Sequence, residues 1–249
     1  MLTQLQIVMV KTRFPENIGM AARACANMGC RRLVLVDPER WDKEKARPLA
    51  TAKGEGLLDS LAVVPTLEEA LADSVLTIGT TARTGGWRQE IVMPEAAAQE
   101  AAPVLAEGGL VSIVFGPEDR GLNNQEIELC QRLVTIPTAD ASSLNVAQSI
   151  LLLLYECHKT MRARKTQGKA PAAEGARITA AEQERLTATL KETLLGLDFL
   201  HGDNPDYFLM PWRRFAGRVG LRRHEYDALM GFCRQVRNKL LRAGAGEKK

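Results

Sequence analysis

The sequence is poor in histidine and has no paired cysteines, which restricts the chemistry it can support. Among its 249 residues the three histidines, His158, His201 and His224, all lie late in the chain. A histidine triad or metal cluster would have to form there, and no surrounding motif indicates one. The cysteines are odd in number and nowhere spaced as C-x-x-C, so we expect no zinc site, no other metal and no disulfide framework. Buried free thiols are the simpler interpretation; the five are Cys25, Cys30, Cys130, Cys157 and Cys233.

Common nucleotide-binding signatures are also missing. There is no G-x-x-x-x-G-K-[ST] sequence, which excludes a P-loop, and no G-x-G-x-x-G follows the first predicted strand. The chain therefore matches neither a dinucleotide-binding fold nor the usual glycine-rich class of methyltransferase. No apolar run reaches the roughly 18 residues of a membrane span, and the opening Met1-Leu-Thr-Gln lacks the basic start of a signal peptide. We expect a cytoplasmic protein.

Charge is divided unevenly along the chain. Residues 1–157 contain 14 Lys+Arg against 20 Asp+Glu, a net charge of −6, whereas residues 158–249 contain 19 against 10, a net charge of +9. A basic segment joined to a mildly acidic domain is typical of a nucleic-acid-binding extension, because neutralised phosphates supply most non-specific affinity. Solvated helix faces would give the same imbalance.

The first part of the chain alternates between apolar strands and helical segments. Near-continuous apolar strands joined by helices predict an α/β fold with a parallel sheet covered on both faces. Ligands bind such sheets outside the carboxyl ends of the strands. The six predicted strands are residues 5–10, 33–36, 61–64, 75–78, 110–115 and 133–136.

The last part of the chain differs in character. Residues 161–178 are basic, contain Ala, Gly and Pro, and are poor in large apolar residues, which predicts a flexible linker. Residues 179–243 contain three helical patterns and predict a small α-helical, RNA-binding extension. The predicted organisation is a domain at residues 1–160, the linker, and the extension.

We expect the functional site to include the segment from Val134 to Tyr155. An apolar strand leads into a loop of small and polar residues, and an apolar helix begins near Leu144. Asp140, Ser142 and Ser143 offer N-cap oxygens, and the helix is too apolar to face water on any side, so we expect it to be buried. Its N-terminus would present amide donors to polar or anionic groups, although an ordinary strand, loop and core helix would show the same pattern.

Three motifs lie at predicted strand ends. The first is Asn17-Ile-Gly-Met-Ala-Ala-Arg23, in which Asn17 could cap a helix and Arg23 lies on its second turn. The second is Phe115-Gly-Pro-Glu-Asp-Arg-Gly-Leu122, with Glu118 in the bend and glycines that permit close backbone approach. The third is Ile136-Pro137 followed by Ser143-Leu-Asn-Val-Ala147. Each motif alone is weak, since a lone arginine is more often a surface residue and a lone glutamate a turn residue.

In this order and spacing the three motifs resemble the signature motifs of the SPOUT superfamily of RNA methyltransferases, in its TrmH-like 2′-O-ribose branch. The resemblance covers about residues 4–160. The segment Gly79-Thr-Thr-Ala-Arg83 and the C-terminal helical pattern are similar to the bacterial members that methylate nucleotide 32 of the tRNA anticodon loop. The resemblance implies a SPOUT domain with a C-terminal trefoil knot, S-adenosylmethionine held by the knot loops, tRNA as substrate, and a homodimer with composite active sites.

The resemblance also implies individual site residues. Catalytic candidates are Arg23, Glu118, Ser143 and Asn145, with Asn17 and Arg83 as supporting, substrate-binding groups. In the basic extension, Arg213, Arg214 and Arg222 are candidate tRNA contacts, and Trp212 and Tyr207 could stack on bases or merely pack the helices. The implied cofactor contacts are Thr80, Thr81, Ala82, Gly116, Ile136, Ser143, Leu144 and Asn145.

Methyl transfer to a ribose 2′-hydroxyl is an in-line displacement, so positioning supplies much of the rate. Because a guanidinium is effectively never deprotonated, we expect Arg23 to hold the adjacent phosphate bidentately and stabilise alkoxide charge. The proton would leave to Ser143, Glu118 or water.

Pro117 and the segment Arg83–Trp87 depart from the family pattern on the RNA side. The alternatives are the same reaction on ribosomal RNA and a non-catalytic RNA-binding module on the same scaffold.

Overall fold

The computed structural model describes residues 2–83, 85, 91–139, 144–166, 175–200 and 204–246. The chain divides into two compact units, Met1–Ala172 and Ala173–Lys249. The first unit contains a parallel sheet flanked by helices and the second is built from helices. The predicted α/β domain followed by a small helical extension is confirmed.

The described residues of the first unit form one seven-stranded sheet. Its order is β3-β2-β1-β6-β4-β7-β5, and each neighbouring pair is parallel. The six predicted strands are all present, whereas β5, only two residues long, has no counterpart among them. The strands are β1 (Leu5–Val10), β2 (Arg32–Val36), β3 (Ala62–Val64), β4 (Ser74–Thr80), β5 (Ile91–Val92), β6 (Leu110–Phe115) and β7 (Arg132–Val134).

Both faces of the sheet are covered by helices. Ile7 and Met9 of β1 belong to a large apolar cluster with residues of α1, α4 and α6, whereas Val8 and Val10 belong to a smaller cluster with residues of α3 and α5. This alternation explains why the strands are apolar at every position rather than at every second one. The helices of this unit are α1 (Pro15–Met28), α2 (Lys43–Ser60), α3 (Leu67–Leu71), α4 (Pro94–Ala106), α5 (Asn124–Glu128) and α6 (Val146–Thr166).

Helix α1 begins earlier than its sequence indicates. Pro15 occupies the first turn, where its missing N–H costs nothing. The N-cap residue is Phe14, which provides no side-chain cap. The prediction that Asn17 caps this helix is therefore wrong, because Asn17 lies inside the first turn and is buried.

Helices α1 and α2 approach each other closely enough to require glycine at two points. A Cβ on Gly19 would lie 2.1 Å from the carbonyl oxygen of Ala46, and one on Gly54 would lie 2.9 Å from the backbone nitrogen of Arg23. Helix α2 is also kinked at Thr51, where φ is 56° and ψ is 172°. The backbone of the turn that carries Arg23 is thus packed directly against the second half of α2.

Helix α6 departs from prediction on one face. Ile150, Leu153 and Leu154 are buried, but Leu151 and Leu152 are 40% and 43% exposed, so the prediction that this helix is buried on all sides is wrong. Together with Tyr155, which is half exposed, they form an apolar stripe at helical spacing. The helix also continues to residue 166, so the first six residues of the predicted linker are helical.

The second unit consists of α7 (Ala180–Gly196), α8 (Pro205–Val219) and α9 (Arg223–Gly246) in its described residues. A capping box formed by Thr179 and Glu182 starts α7. Trp212 packs beside a small core, so its role in folding the extension is clear from the structure. That core contains Ile178, Leu186, Ala216, Leu221 and Tyr226.

Two sequence-based expectations concern the chain as a whole. The predicted trefoil knot depends on the path of the segment between β7 and α6, in which residues 140–143 lie outside the described residues, and it stays a prediction. Among the described residues, none of the helices is both long enough and apolar enough to span a bilayer.

Candidate active site

A cavity of about 560 Å³ opens where β4, β6 and β7 end. Its wall consists of Thr80–Arg83 after β4, Phe115–Leu122 after β6, and residues between β7 and the first turns of α6. The carboxyl ends of parallel strands meet at one edge of a sheet, which is where ligand sites form in such folds. The cavity is of the size that small cofactors occupy.

Most predicted cofactor contacts line this cavity. Each of these residues lies in one of the three loops that form the cavity wall. Asn145 is not a lining residue, but it directly follows the lining residue Leu144 in the sequence. Ser143, predicted both to bind cofactor and to take part in catalysis, lies outside the described residues, as do Asp140 and Ser142. The predicted contacts that line the cavity are Thr80, Thr81, Ala82, Gly116, Ile136 and Leu144.

The loop after β6 closes tightly on itself. A Cβ on Gly116 would lie 2.3 Å from the backbone of Gly121 and of Leu122, so position 116 tolerates only glycine. Gly121 adopts a positive φ of 67°, and its N–H donates to the carbonyl of Pro117 at 2.9 Å. The two glycines predicted to permit close approach therefore shape the part of the cavity wall that contains Glu118.

The carboxylate of Glu118 accepts three hydrogen bonds from the segment that follows β1. The Thr12 hydroxyl and the Asn17 amide donate to Oε1 at 2.9 and 2.8 Å, and the backbone N–H of Arg13 donates to Oε2 at 3.2 Å. Hydrogen bonds to an ionised acceptor are among the stronger ones in proteins. The first and second motifs are thus joined by direct contact.

Asn17 extends the same network to the third motif. Its side-chain oxygen accepts from Nδ2 of Asn145 at 2.9 Å. The oxygen of Asn145 in turn accepts the backbone N–H groups of Ala147 and Gln148, at 2.9 and 3.4 Å, which caps the first turn of α6. Asn145 is therefore an observed cap of this helix, whereas the predicted cap oxygens of Asp140, Ser142 and Ser143 lie outside the described residues.

Residues 4–155, more than half of the chain, match the SpoU rRNA Methylase family. The chain belongs to this family. Its sequence is 36% identical over 247 residues to the tRNA (cytidine/uridine/adenosine-2′-O-)-methyltransferase TrmJ of Pseudomonas aeruginosa, covering 95% of both chains. It is 30% identical over 238 residues to the tRNA (cytidine/uridine-2′-O-)-methyltransferase TrmJ of Escherichia coli, covering 95% of this chain and 96% of that one. The crystal structure of TrmJ from Z. mobilis superposes with a TM-score of 0.76 at 28% identity, over 93% of this chain and 98% of that one.

One catalytic candidate of this SpoU methylase is not part of the cavity wall. Arg23 is exposed on α1 and is not among the residues that line the cavity. It makes no ion pair or hydrogen bond with another side chain among the described residues. Within one chain, the structure brings Asn17, Glu118 and Asn145 together and leaves the guanidinium of Arg23 outside that group.

Two arginines lie at the rim of the cavity. Arg83 lines the cavity at the ends of β4, β6 and β7 and donates a hydrogen bond to the carbonyl of Arg120, on the opposite loop. Arg120 itself lies 3.7 Å from Asp119, with both side chains nearly half exposed. A second, more open cavity of about 670 Å³ shares this rim and is lined further by Asn123, Asn124 and Gln125.

The predicted RNA-binding arginines of the extension differ in their surroundings. Arg213 forms an ion pair with Glu184 and is only 23% exposed. Arg222 donates to the carbonyl of Gly175. Arg214 lies next to Arg213 on the same helix, and Tyr207 is 60% exposed. Arg213 and Arg222 therefore make contacts within the extension itself, and any contact with RNA would be additional.

The cysteines take no part in this site. Four of the five are buried free thiols, as predicted, and Cys130 is partly buried. Burial raises the pKa of Cys130 and of Cys157 to about 12, so both remain protonated at neutral pH. No group of three or more potential metal ligands occurs within the part of the chain that the structure describes.

Sequence reasoning missed Thr12 and Arg13, which hold Glu118. Both directly follow β1, and the carboxyl end of a central strand was a signal that could have identified them. Arg13 also forms 2.8 Å ion pairs with Glu39 and Asp119. The hydrogen bond to Glu39 and the nearby charge of Asp119 raise the pKa of Arg13.

Proposed function

We propose that this SpoU methylase transfers a methyl group from S-adenosylmethionine to the 2′-oxygen of a ribose in tRNA, at nucleotide 32 of the anticodon loop. The observation that carries the proposal is that residues of three distant motifs, Asn17, Glu118 and Asn145, meet beside one cavity at the strand ends. The names of the two similar TrmJ enzymes support tRNA as substrate and the 2′-oxygen as acceptor. A tRNA-modifying enzyme of this kind would act in the cytoplasm.

The cavity suits S-adenosylmethionine in size and in lining. Ile136, Leu144 and Val134 provide apolar surface, and the loops at Thr80–Ala82 and Gly116 bring backbone polar groups and Thr81 to the rim. Such a mixture of apolar walls and a few placed polar groups is typical of cofactor sites. The cofactor supplies a methyl group activated by a sulfonium charge.

The residues of this chain supply positioning and charge. A guanidinium stays protonated, so we assign Arg23 to the phosphate next to the target ribose, where it also stabilises alkoxide charge as the hydroxyl proton leaves. Glu118 accepts three hydrogen bonds and holds the cavity wall. The hydroxyl proton leaves to Ser143, Glu118 or water. Asn145 holds the first turn of α6 in place beside the cavity.

A homodimer accounts for the separation of Arg23 from the cavity. The apolar stripe of Leu151, Leu152 and Tyr155 lies on α6, the helix that Asn145 caps. Exposed apolar stripes of this kind are typical of subunit interfaces. We propose that a second copy of the chain covers the stripe and that its Arg23 completes the site, which is the composite arrangement implied by the family resemblance.

Two features support an RNA partner. Arg83 and Arg120 lie at the rim of the cofactor cavity, where they could hold phosphates next to the target nucleotide. The C-terminal segment is basic, with a net charge of +9 over residues 158–249, and Arg214 with the exposed Tyr207 offers charge and a stacking surface.

Ribosomal RNA is the second candidate substrate, favoured by the description of the family. It is the weaker candidate because the similarity to the two tRNA-specific relatives extends over 95% of the chain and so includes the helical extension. A purely RNA-binding role would not require Asn17, Glu118 and Asn145 to converge beside a cofactor-sized cavity.

The test is methyl transfer from labelled S-adenosylmethionine to unmodified tRNA and, separately, to ribosomal RNA, followed by nuclease digestion and mass mapping. The expected product is a 2′-O-methyl ribose at nucleotide 32 of tRNA. Label confined to ribosomal RNA would overturn the substrate and keep the chemistry. A protein that binds the cofactor and labels neither RNA would overturn the enzymatic proposal.

A further inference from the structure

We propose that Thr12 is a positioning residue for the cofactor cavity and acts through Glu118. The inference rests on the proposed function, because it concerns the affinity of that cavity for S-adenosylmethionine. It assigns a role to a residue outside the three sequence motifs, and it makes Glu118 a fixed acceptor that holds the cavity wall.

Thr12 is fixed by one hydrogen bond of its side chain and one of its backbone. Its side chain is buried, with 2% of the residue exposed. Its hydroxyl donates to Oε1 of Glu118 at 2.9 Å, and its carbonyl accepts the N–H of Glu39 at 3.1 Å. The preceding residue, Lys11, has a positive φ of 48°, which is costly for a residue with a side chain and indicates that the surroundings fix the backbone there.

Both oxygens of Glu118 are already engaged. Oε1 accepts from Thr12 and Asn17, and Oε2 accepts from the N–H of Arg13. These donors occupy three of the roughly four lone-pair sites of the carboxylate, and they approach it from different directions. The side chain of Glu118 is therefore fixed in one orientation and ties the segment after β1 to the cavity wall.

The hydrogen bond from Thr12 also spans two structural elements. It connects the end of β1 to the loop Phe115–Leu122, all of whose residues line the cavity. Without the hydroxyl, Oε1 retains only the amide of Asn17, and the side chain of Glu118 gains freedom that binding must remove. Cofactor affinity should fall because a flexible wall has to be ordered on binding.

The experiment compares Thr12→Val, which removes the hydroxyl and keeps the shape, with Thr12→Ser, which keeps the hydroxyl. Thr12→Cys, whose thiol is a weaker donor, serves if valine prevents folding. Thr187→Val in α7 is the matched control, because Thr187 is also buried and its hydroxyl donates at 2.9 Å to the carbonyl of Gln183 in the same helix, which belongs to the second unit. Isothermal titration gives the Kd for S-adenosylmethionine, thermal unfolding gives the Tm, and steady-state kinetics with tRNA gives kcat and KM.

We expect Thr12→Val to raise the Kd and the KM for S-adenosylmethionine on the order of tenfold, the effect of losing one hydrogen bond to a charged group. Thr12→Ser should restore most of the affinity, and Thr187→Val should lower only the Tm. At saturating cofactor, kcat should change less than the KM for S-adenosylmethionine, because the lost hydrogen bond orders the binding site.

Two outcomes would overturn the inference. If Thr12→Val bound the cofactor as tightly as the wild type, Thr12 would not position the cavity wall. If Thr12→Ser bound the cofactor as weakly as Thr12→Val, the hydroxyl would not be the group that positions the wall. Failure of the wild type itself to bind S-adenosylmethionine would instead overturn the proposed function, so the two failures are distinguishable.

Discussion

At the scale of single residues, Asn17 is the centre of the candidate site. Its amide nitrogen donates to Glu118 and its amide oxygen accepts from Asn145. Only a side chain with a donor on one side and an acceptor on the other satisfies both neighbours. That requirement explains why an asparagine is buried inside the first turn of α1, where it contributes nothing as a helix cap.

The first prediction follows from that geometry. Asn17→Asp replaces the donor that faces Glu118 by a carboxylate oxygen, so two like charges would share a buried site. We expect a loss of about 3 kcal/mol in the free energy of unfolding and loss of most cofactor binding. The matched control is Asn27→Asp, the same change at an exposed position of the same helix, which should change stability by no more than about 0.5 kcal/mol. Urea unfolding and cofactor titration measure both, and equal effects of the two variants would contradict the prediction.

The second prediction concerns the side chain of Arg23. Lysine keeps the positive charge but cannot form two parallel hydrogen bonds to a phosphate. Arg23→Lys should therefore lower kcat/KM for tRNA by roughly 10- to 100-fold without changing the Kd for S-adenosylmethionine. Arg31→Lys, at an exposed position just after α1, is the control and should behave like the wild type. Near-normal turnover by Arg23→Lys would remove the bidentate role.

At the scale of elements, the contact between α1 and α2 sets the position of the turn that carries Arg23. A Cβ at Gly54 would lie 2.9 Å from the backbone nitrogen of Arg23, whereas one at Gly56, two residues along the same helix, would meet nothing within 4 Å. Gly54 is thus tightly packed and Gly56 is not, although both belong to α2.

The third prediction uses this difference. Gly54→Ala should lower the free energy of unfolding by about 1–3 kcal/mol, because backbone atoms must move apart, and should also reduce kcat. Gly56→Ala should raise the free energy of unfolding by up to about 1 kcal/mol, since alanine is the better helix former. Chemical denaturation of both variants checks the prediction, which fails if Gly54→Ala is as well tolerated as Gly56→Ala.

Elements with a clear period could be read from the sequence, and long-range partners could not. The strands β1 and β6 and the helix α4 are recognisable because apolar residues repeat over several positions. Strand β5 is two residues long and carries no periodic signal, so only its pairing with β7 defines it. The exposed stripe on α6 escaped detection because hydrophobicity alone does not distinguish a core face from an interface.

The roles of the candidate site residues stay predictions, and the structure adds the hydrogen bonds that connect three of them. Motif resemblance supplied Glu118 and Asn145, and the structure places them on a common network. The role of Asn17 could not be read from sequence, because its partners lie 101 and 128 residues further along the chain. The position of Thr12 after a central strand was an available signal, but its partner, 106 residues away, could not be read from the sequence.

At the scale of the whole molecule, the proposed homodimer gives the fourth prediction. Leu152→Glu places a charge in the middle of the exposed stripe on α6, where burial against a second copy would be costly. We expect a monomer by light scattering that still binds S-adenosylmethionine and no longer methylates tRNA. Val63→Glu on β3 is the control, since Val63 is 51% exposed and lies apart from the stripe. A Leu152→Glu variant that stayed dimeric would exclude this interface.

The fifth prediction concerns the helical extension. Arg218 lies in the last turn of α8, one turn beyond Arg214. The double variant Arg214→Gln/Arg218→Gln should weaken tRNA binding and lower the slope of log K against log salt by about 0.7–0.9 for each phosphate that the variant no longer neutralises. The Kd for S-adenosylmethionine should not change. Arg213→Gln is the control on the same helix, and it should mainly destabilise the extension by leaving Glu184 without its ion pair. Equal salt slopes for the wild type and the double variant would contradict an RNA-binding role for these side chains.

The sheet order has a consequence for how the chain is made. Strand β1 lies between β2, which follows it closely, and β6, with Leu5 paired to Val111. At a synthesis rate of about 5–20 residues per second, roughly 5 to 20 seconds pass between the synthesis of β1 and that of β6, its second neighbour. Throughout that interval the nascent chain exposes one edge of a strand whose six residues are all buried in the finished protein. A chain that stalled before residue 110 would present that open apolar edge to other chains and would be prone to aggregate.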